Sequence, residues 1–140
     1  MQNGSNKTAE TLSERWHDFG TTHHLALAWN GVVMKTYVDG DDQHAWRFVT
    51  APLAAQSGKL LIGNNRSEDA PYQGVIQSVR ITGEAIMPDE FLSRARRTDP
   101  DDNTLLLYQF GAGRGDKVFD FSRRENHGFL SGAEWVANPD

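Results

Sequence analysis

The sequence predicts an all-β protein, an antiparallel β-sandwich carrying one short helix. Three observations point that way. Between His23 and Val49, three β-rich runs are joined by Asn30-Gly31 and Asp39-Gly40, dipeptides that supply the positive φ angles of tight hairpin turns. Adjacent antiparallel strands follow, so this stretch reads as a β-meander. Two more runs, residues 59–63 and 74–82, are each flanked by turn-favouring residues. Five strands at short, fairly even spacing fit a sandwich.

Taken in order, residues 1–10 are polar, rich in Asn, Gly and Ser, and without period, which predicts a disordered leader. Residues 11–140 read as one domain. Leu12, Trp16 and Phe19 are spaced for either a short helix or an irregular edge strand, broken by Asp18 and Gly20. In the first strong strand Leu25, Leu27 and Trp29 share one face, and His24, Ala26 and Ala28 the other. In the second, Val32, Met34, Thr36 and Val38 oppose Val33, Lys35 and Tyr37. The third, residues 43–49, sets Trp46 and Phe48 against Ala45, Arg47 and Val49.

Residues 50–57, with Pro52, read as a loop, and residues 64–72 as a longer polar one of the kind in which binding residues sit. The strand from Gly74 is expected to turn Val75, Val79 and Ile81 inward. Residues 88–97 predict a short helix: Pro88 opens it, Asp89 and Glu90 come early, and Arg94, Arg96 and Arg97 come late, all matching the helix dipole. A linker at 98–102 ends it. The β pattern then resumes with a strand at 104–110, a glycine-rich turn at 111–116, a short strand at 118–121, and one or two strands over 128–136.

Composition removes several classes. There is no cysteine, hence no disulfide, thiol nucleophile or thiolate metal site, and the redox compartment is left open. The net charge is −5 with acids and bases interspersed, and only Arg94, Arg96 and Arg97 cluster, so a nucleic-acid partner is not expected. No apolar run approaches the roughly 20 residues needed to span a bilayer, so no membrane insertion is expected. The first ten residues have no apolar signal core either, which leaves a cytoplasmic protein or a piece of a larger exported one.

Several motifs taken together resemble a known family. His23-His24-Leu25-Ala26-Leu27-Ala28-Trp29-Asn30-Gly31, then Lys35-Thr36-Tyr37-Val38-Asp39-Gly40, are similar to the central stretch of concanavalin A-like, laminin G-like jelly-roll domains. Lys59-Leu60-Leu61-Ile62-Gly63, Tyr72-Gln73-Gly74-Val75-Ile76-Gln77-Ser78-Val79-Arg80-Ile81 and the 88–97 helix follow in the same family order. The tail also resembles the family, but its beginning: Leu105-Leu106-Leu107-Tyr108-Gln109-Phe110, Gly113-Arg114-Gly115-Asp116, Val118-Phe119-Asp120, Asn126-His127-Gly128 and Ala133-Glu134-Trp135-Val136. Residues 11–97 thus stand for the family C-terminal half and residues 103–136 for its N-terminal strands. First and last strands of a jelly roll lie side by side, so a circularly permuted chain would still close its sheet. A window across two tandem domains is the alternative, completing its own sandwich or a neighbour's.

The resemblance implies a lectin-like module that binds carbohydrate or a protein ligand, often helped by Ca2+, within an extracellular, cell-surface or periplasmic protein. The ligand residues expected are Tyr72, Asn64, Asn65 and Arg66 in the polar loop, with Trp46; sugar C–H groups suit an exposed aromatic face. Trp16 is a further aromatic candidate, whereas Trp29 and Trp135 fall in strand patterns that predict core. Calcium, which takes several oxygen ligands, would look to Asp116, Asp120 and Asn126, or to the acidic turn of Asp39, Asp41 and Asp42. Gln77 and Ser78 stand where the family often has acids, which weakens that case.

No catalytic residue is expected. His23 and His24 are adjacent on a strand and point to opposite faces, so they cannot share one site. The paired carboxylates of a glycan hydrolase are missing, as are a nucleophile elbow, a P-loop and a zinc pattern. Residues 111–115 lead into a strand rather than a helix, so they do not predict a phosphate cradle. The rival to a binding module is a structural or oligomerisation module without a small ligand, whose open edges pair with a second copy or a neighbouring domain.

Overall fold

The computed structural model describes residues 20–47, 58–65, 67–86 and 99–137, without the side chains of residues 44–47 and of Ala112. Among these residues, seven strands form three antiparallel sheets, and helix is limited to a 3-10 turn at Phe110–Ala112. The architecture is all-β, as the hairpin dipeptides predict.

The first sheet is the meander of β1 (Leu25–Trp29), β2 (Val33–Val38) and β3 (Asp41–Arg47), in that order. Its second turn follows the dipeptide: Asp39 and Gly40 take φ of 51° and 92°, both left-handed, as a two-residue primed turn needs. Its first turn sits one residue later than Asn30-Gly31 predicts. Trp29 pairs with Met34, the Asn30 N–H donates to the Val33 carbonyl at 3.2 Å, and Gly31, at φ 95°, takes the first central position. The Asn30 side chain causes this shift, since its Oδ1 accepts the Val32 and Val33 N–H groups at 3.0 and 2.8 Å.

Cross-strand pairs Leu25–Val38, Leu27–Thr36 and Trp29–Met34 keep the faces that alternation predicts. Which face is covered is the reverse of the expectation. Leu25, Leu27 and Trp29 are 55, 62 and 40 % exposed, whereas Tyr37 is 4 % exposed. Trp29 is therefore a surface residue rather than core. Tyr37 pairs with Ala26, whose small side chain leaves room for the ring on that face.

In the second sheet, β4 (Ser78–Thr82) pairs with β5 (Thr104–Gln109) from Ser78–Gln109 to Thr82–Thr104, with a bulge between Ile81 and Thr82. The ladder extends past both ends, through Phe110 N–H to the Gln77 carbonyl at 3.0 Å and Gly83 N–H to the Asn103 carbonyl at 2.9 Å. On its other edge β5 meets residues 120 and 121: Tyr108 bridges Asp120 and the Phe121 N–H reaches the Leu107 carbonyl at 2.9 Å. A third small sheet joins β6 (Lys117–Val118) to β7 (Gly128–Phe129).

Having neighbours on both edges makes β5 the centre of the core. Leu106, Tyr108 and Val118 are its buried members, and Ile62, Val79, Phe110, Leu130 and Trp135 pack around them. Each such side chain contributes about 1.5–3 kcal/mol when fully buried.

Three expected details are corrected. Residues 59–63 form no strand; the chain bends at Ile62–Asn64, Gly63 takes φ 81°, and the Gly63 carbonyl accepts the Tyr72 N–H at 2.8 Å instead of a strand partner. Of the expected inward trio only Val79 packs on the core, while Val75 and Ile81 are 51 and 36 % exposed. Val75 precedes the first residue of β4, and Ile81 lies next to the bulge that ends the regular ladder. The leader, the 11–19 element, the 50–57 loop and the 88–97 helix lie outside the described residues.

Candidate ligand-binding cleft

A short stretch after the glycine-rich turn builds a shallow concave surface. From Val118 to Ser122 the chain alternates: Val118, Asp120 and Ser122 are 5, 8 and 4 % exposed, while Phe119 and Phe121 are 52 and 43 % exposed. A period of two puts the polar residues inside and the aromatics outside. Asp120 makes that inversion stable. Its Oδ1 accepts the Leu107 and Ser122 N–H groups, each at 2.9 Å, and its Oδ2 accepts the Ser122 hydroxyl at 2.7 Å and the Asn126 N–H at 3.0 Å. Burial pushes this carboxyl up, but those hydrogen bonds outweigh it and hold the group below the usual carboxylate range.

The outward phenylalanines line a cleft of about 230 Å³ with Gln109, Arg114, Lys117 and Trp135. Phe119 is a fixed wall, with Lys117 Nζ 4.9 Å from its ring centre and the His127 ring edge-on at 5.5 Å. Trp135 is half-buried; its indole N–H donates to the Gly115 carbonyl at 2.7 Å, and its ring lies 6.3 Å from that of Phe110. No described ring or cation stacks on Phe121. Neither Arg114 nor Lys117 pairs with a carboxylate among the described residues.

Of the ligand residues expected from sequence, the fold brings Asn64, Asn65 and Tyr72 into one loop. Tyr72 is 61 % exposed, and its ring lies close against Gly74, where a Cβ would come within 2.6 Å of the phenolic oxygen. The Asn64 Oδ1 accepts the N–H groups of Asn65 and Ala70 at 2.9 and 3.2 Å. Asn65 grips Asp69 twice, by Nδ2 to Oδ1 at 2.6 Å and by Oδ1 from the backbone N–H at 3.1 Å. Both asparagines thus shape the loop. Arg66 and the Trp46 side chain lie outside the described residues, although Trp46 pairs with Met34 in the β2–β3 ladder.

Among the expected calcium ligands, Asp120 has no free oxygen to offer an ion. A carboxylate has about four lone-pair sites, and chain donors meet all four on Asp120. Asn126 is also engaged: its Nδ2 donates to the Leu105 carbonyl at 3.1 Å and its own carbonyl accepts the Tyr108 hydroxyl at 2.6 Å. Asp116 is exposed, and its carbonyl accepts the Leu130 N–H at 2.7 Å. Among the described residues no three His, Asp or Glu side chains are grouped to hold a metal. In the other acidic turn, Asp39 binds the His24 N–H and His23 Nδ1, both at 2.8 Å, and Asp42 binds Lys35 at 2.7 Å.

A laminin G-type family model, described as the concanavalin A-like lectin/glucanases superfamily, matches residues 1–91. The chain belongs to this superfamily. No curated protein and no solved structure matches the chain. The superfamily is a jelly roll, and its laminin G-like members are typically non-catalytic binding modules of extracellular proteins, beside glucanases. The match takes in the residues expected as a leader, the meander, the Tyr72 loop and β4; the cleft residues, 109 to 135, all lie beyond it. No helix among the described residues is long and apolar enough to cross a membrane.

Phe119 and Phe121 are not among the ligand residues expected from sequence. The sequence signal for them is their alternation with Val118, Asp120 and Ser122, which sets an aspartate on the inward face against the usual order of polarity.

Proposed function

We propose that this chain is a non-catalytic binding module of an exported protein and that it takes a saccharide ring in the cleft of Phe119, Phe121 and Trp135. The observation that carries the proposal is Phe121: an aromatic ring 43 % exposed, on a backbone locked by Asp120, at the edge of a concave surface. A ring on a fixed backbone loses little entropy on stacking, and sugar C–H groups favour its electron-rich face. A glycan array tests it. Signal from the intact chain that disappears in Phe121→Ala supports the module; a blank array from folded protein contradicts it.

A second reading rests on a different observation. Among the described residues β1 stands at the edge of its sheet and exposes Leu25, Leu27 and Trp29 together, a surface suited to pairing with a second copy or a neighbouring domain. The β4–β5 ladder bears on how such pairing would run: it joins the segment resembling the family's last strand to the one resembling its first, which supports a permuted unit closed within one chain. An engineered Ser78→Cys, Gln109→Cys pair sits across that ladder in a chain without other cysteines. Oxidation to a monomer supports internal closure, and oxidation to a dimer supports exchange between chains.

A further inference from the structure

Resting on the saccharide reading of the cleft, we infer that its ligand carries a carboxylate, as a uronic-acid sugar does, and that Arg114 and Lys117 select it. The chain as a whole is acidic, at −5, yet among the described residues the polar side chains lining this cleft are Gln109, Arg114 and Lys117, with no carboxylate. Asp120, the acid between the two phenylalanines, faces away and is saturated by four chain donors. Asp116 and Glu134 are exposed neighbours in sequence, and neither pairs with Arg114 or Lys117.

Position supports the choice of ligand. Lys117 Nζ is 4.9 Å from the Phe119 ring centre, so the ammonium lies over the aromatic wall. An anionic group on a ring stacked at Phe121 would meet cations in the same cleft. Arginine presents a planar fork that matches a carboxylate with two parallel hydrogen bonds. A volume of about 230 Å³ is of the size of a single sugar unit rather than of an extended polymer, so recognition of one charged residue along a chain suffices.

The test uses the intact chain and three trisaccharides of one backbone: α-1,4-trigalacturonic acid, its methyl ester, and α-1,4-galactotriose, each titrated by calorimetry at low salt. The acid is expected to bind about tenfold or more tightly than the ester, as loss of one charge-assisted contact implies. Arg114→Gln and Lys117→Gln, both at solvent-accessible positions and checked for folding by circular dichroism, are each expected to shrink that ratio, and raised salt to weaken the acid alone. Equal affinity for acid and ester overturns the inference while leaving the saccharide module intact. Binding of none of the three, with other sugars bound on the array, overturns the inference alone; a blank array as well removes both. Binding of an acidic peptide such as oligoglutamate in place of the sugars also overturns it.

Discussion

The Arg80 Nη2 donates to Asp101 Oδ2 at 2.8 Å and so fastens the middle of β4 to the turn that leads into β5. The same nitrogen donates to Thr104 Oγ1 at 2.7 Å, and Thr104 is fully buried. In turn the Thr104 hydroxyl donates to Asp101 Oδ1 at 2.7 Å. The Arg80 side chain is only 13 % exposed, which sets this pair apart from the other ion pairs of the described residues. Asp101→Ala leaves a largely buried guanidinium short of its counter-charge and is expected to cost about 2 kcal/mol. Urea unfolding measures it, and Arg80→Met in the same background should recover part of the loss.

Asp120 is the second fastening. Asp120→Ala strips acceptors from Leu107, Ser122 and Asn126 at once and is expected to cost about 3 kcal/mol or more, since each buried donor left unmet costs about 1–3 kcal/mol. Thermal unfolding reports the loss directly. The same variant frees the Phe119–Phe121 backbone, so ligand binding should weaken even at temperatures where the chain stays folded.

Acid should destabilise the fold in two stages. Burial lowers the pKa of His24 from 6.5 and outweighs the opposing charge of Asp39, so the unfolded chain takes up that proton first and stability begins to fall as pH drops below about 6.5. Asp39, lowered by the His24 N–H and then by the His23 ring, and Asp120, lowered by its hydrogen bonds, act later. Their contribution is present above about 3.8 and is lost as pH falls through their folded values. Urea midpoints measured from pH 8 to pH 3 should trace both declines, and a flat profile down to pH 4 would contradict the first.

Gly128 lies against the Tyr108 hydroxyl so closely that an added Cβ would come within 2.9 Å of it. Tyr108 is 8 % exposed and its hydroxyl is held by the Asn126 carbonyl at 2.6 Å, so the ring cannot swing aside. Gly128→Ala is expected to destabilise by about 1–3 kcal/mol. Tyr108→Phe removes the obstructing oxygen, and the two substitutions together should cost less than their sum. Additive losses would show that the contact is not the cause.

Calcium provides a further check. With Asp120 and Asn126 engaged by chain groups, millimolar calcium should leave the melting temperature unchanged and chelator should do the same. A rise on adding calcium would place the ion on residues other than these.

The parts of the fold legible in sequence are those fixed locally. Asp39-Gly40 sets its turn because both residues must adopt positive φ, and the alternation of Leu25, Leu27 and Trp29 sets a face because strand geometry has a period of two. Whether that face is covered depends on what packs over it, a non-local matter, and here Tyr37 and Ala26 lie on the covered side instead. The side-chain turn of Asn30 displaced a hairpin by one residue in a way the dipeptide alone does not reveal. At the candidate site, Tyr72 could be chosen as an exposed aromatic in a polar loop. Phe119 and Phe121 are marked only by their alternation, and which side of it is exposed follows from donors that lie 13 residues before and up to 6 residues after Asp120 in the chain.

The most direct test of the account is where a bound sugar lands. Amide and indole chemical shifts of the labelled chain, followed during titration with α-1,4-trigalacturonic acid or with an array hit, would report it. Shifts concentrated at Gly115, Lys117, Phe119, Phe121 and the Trp135 indole N–H are predicted. Shifts confined to Tyr72 and its loop, with the cleft signals unmoved, would contradict the account and return the site to the polar loop.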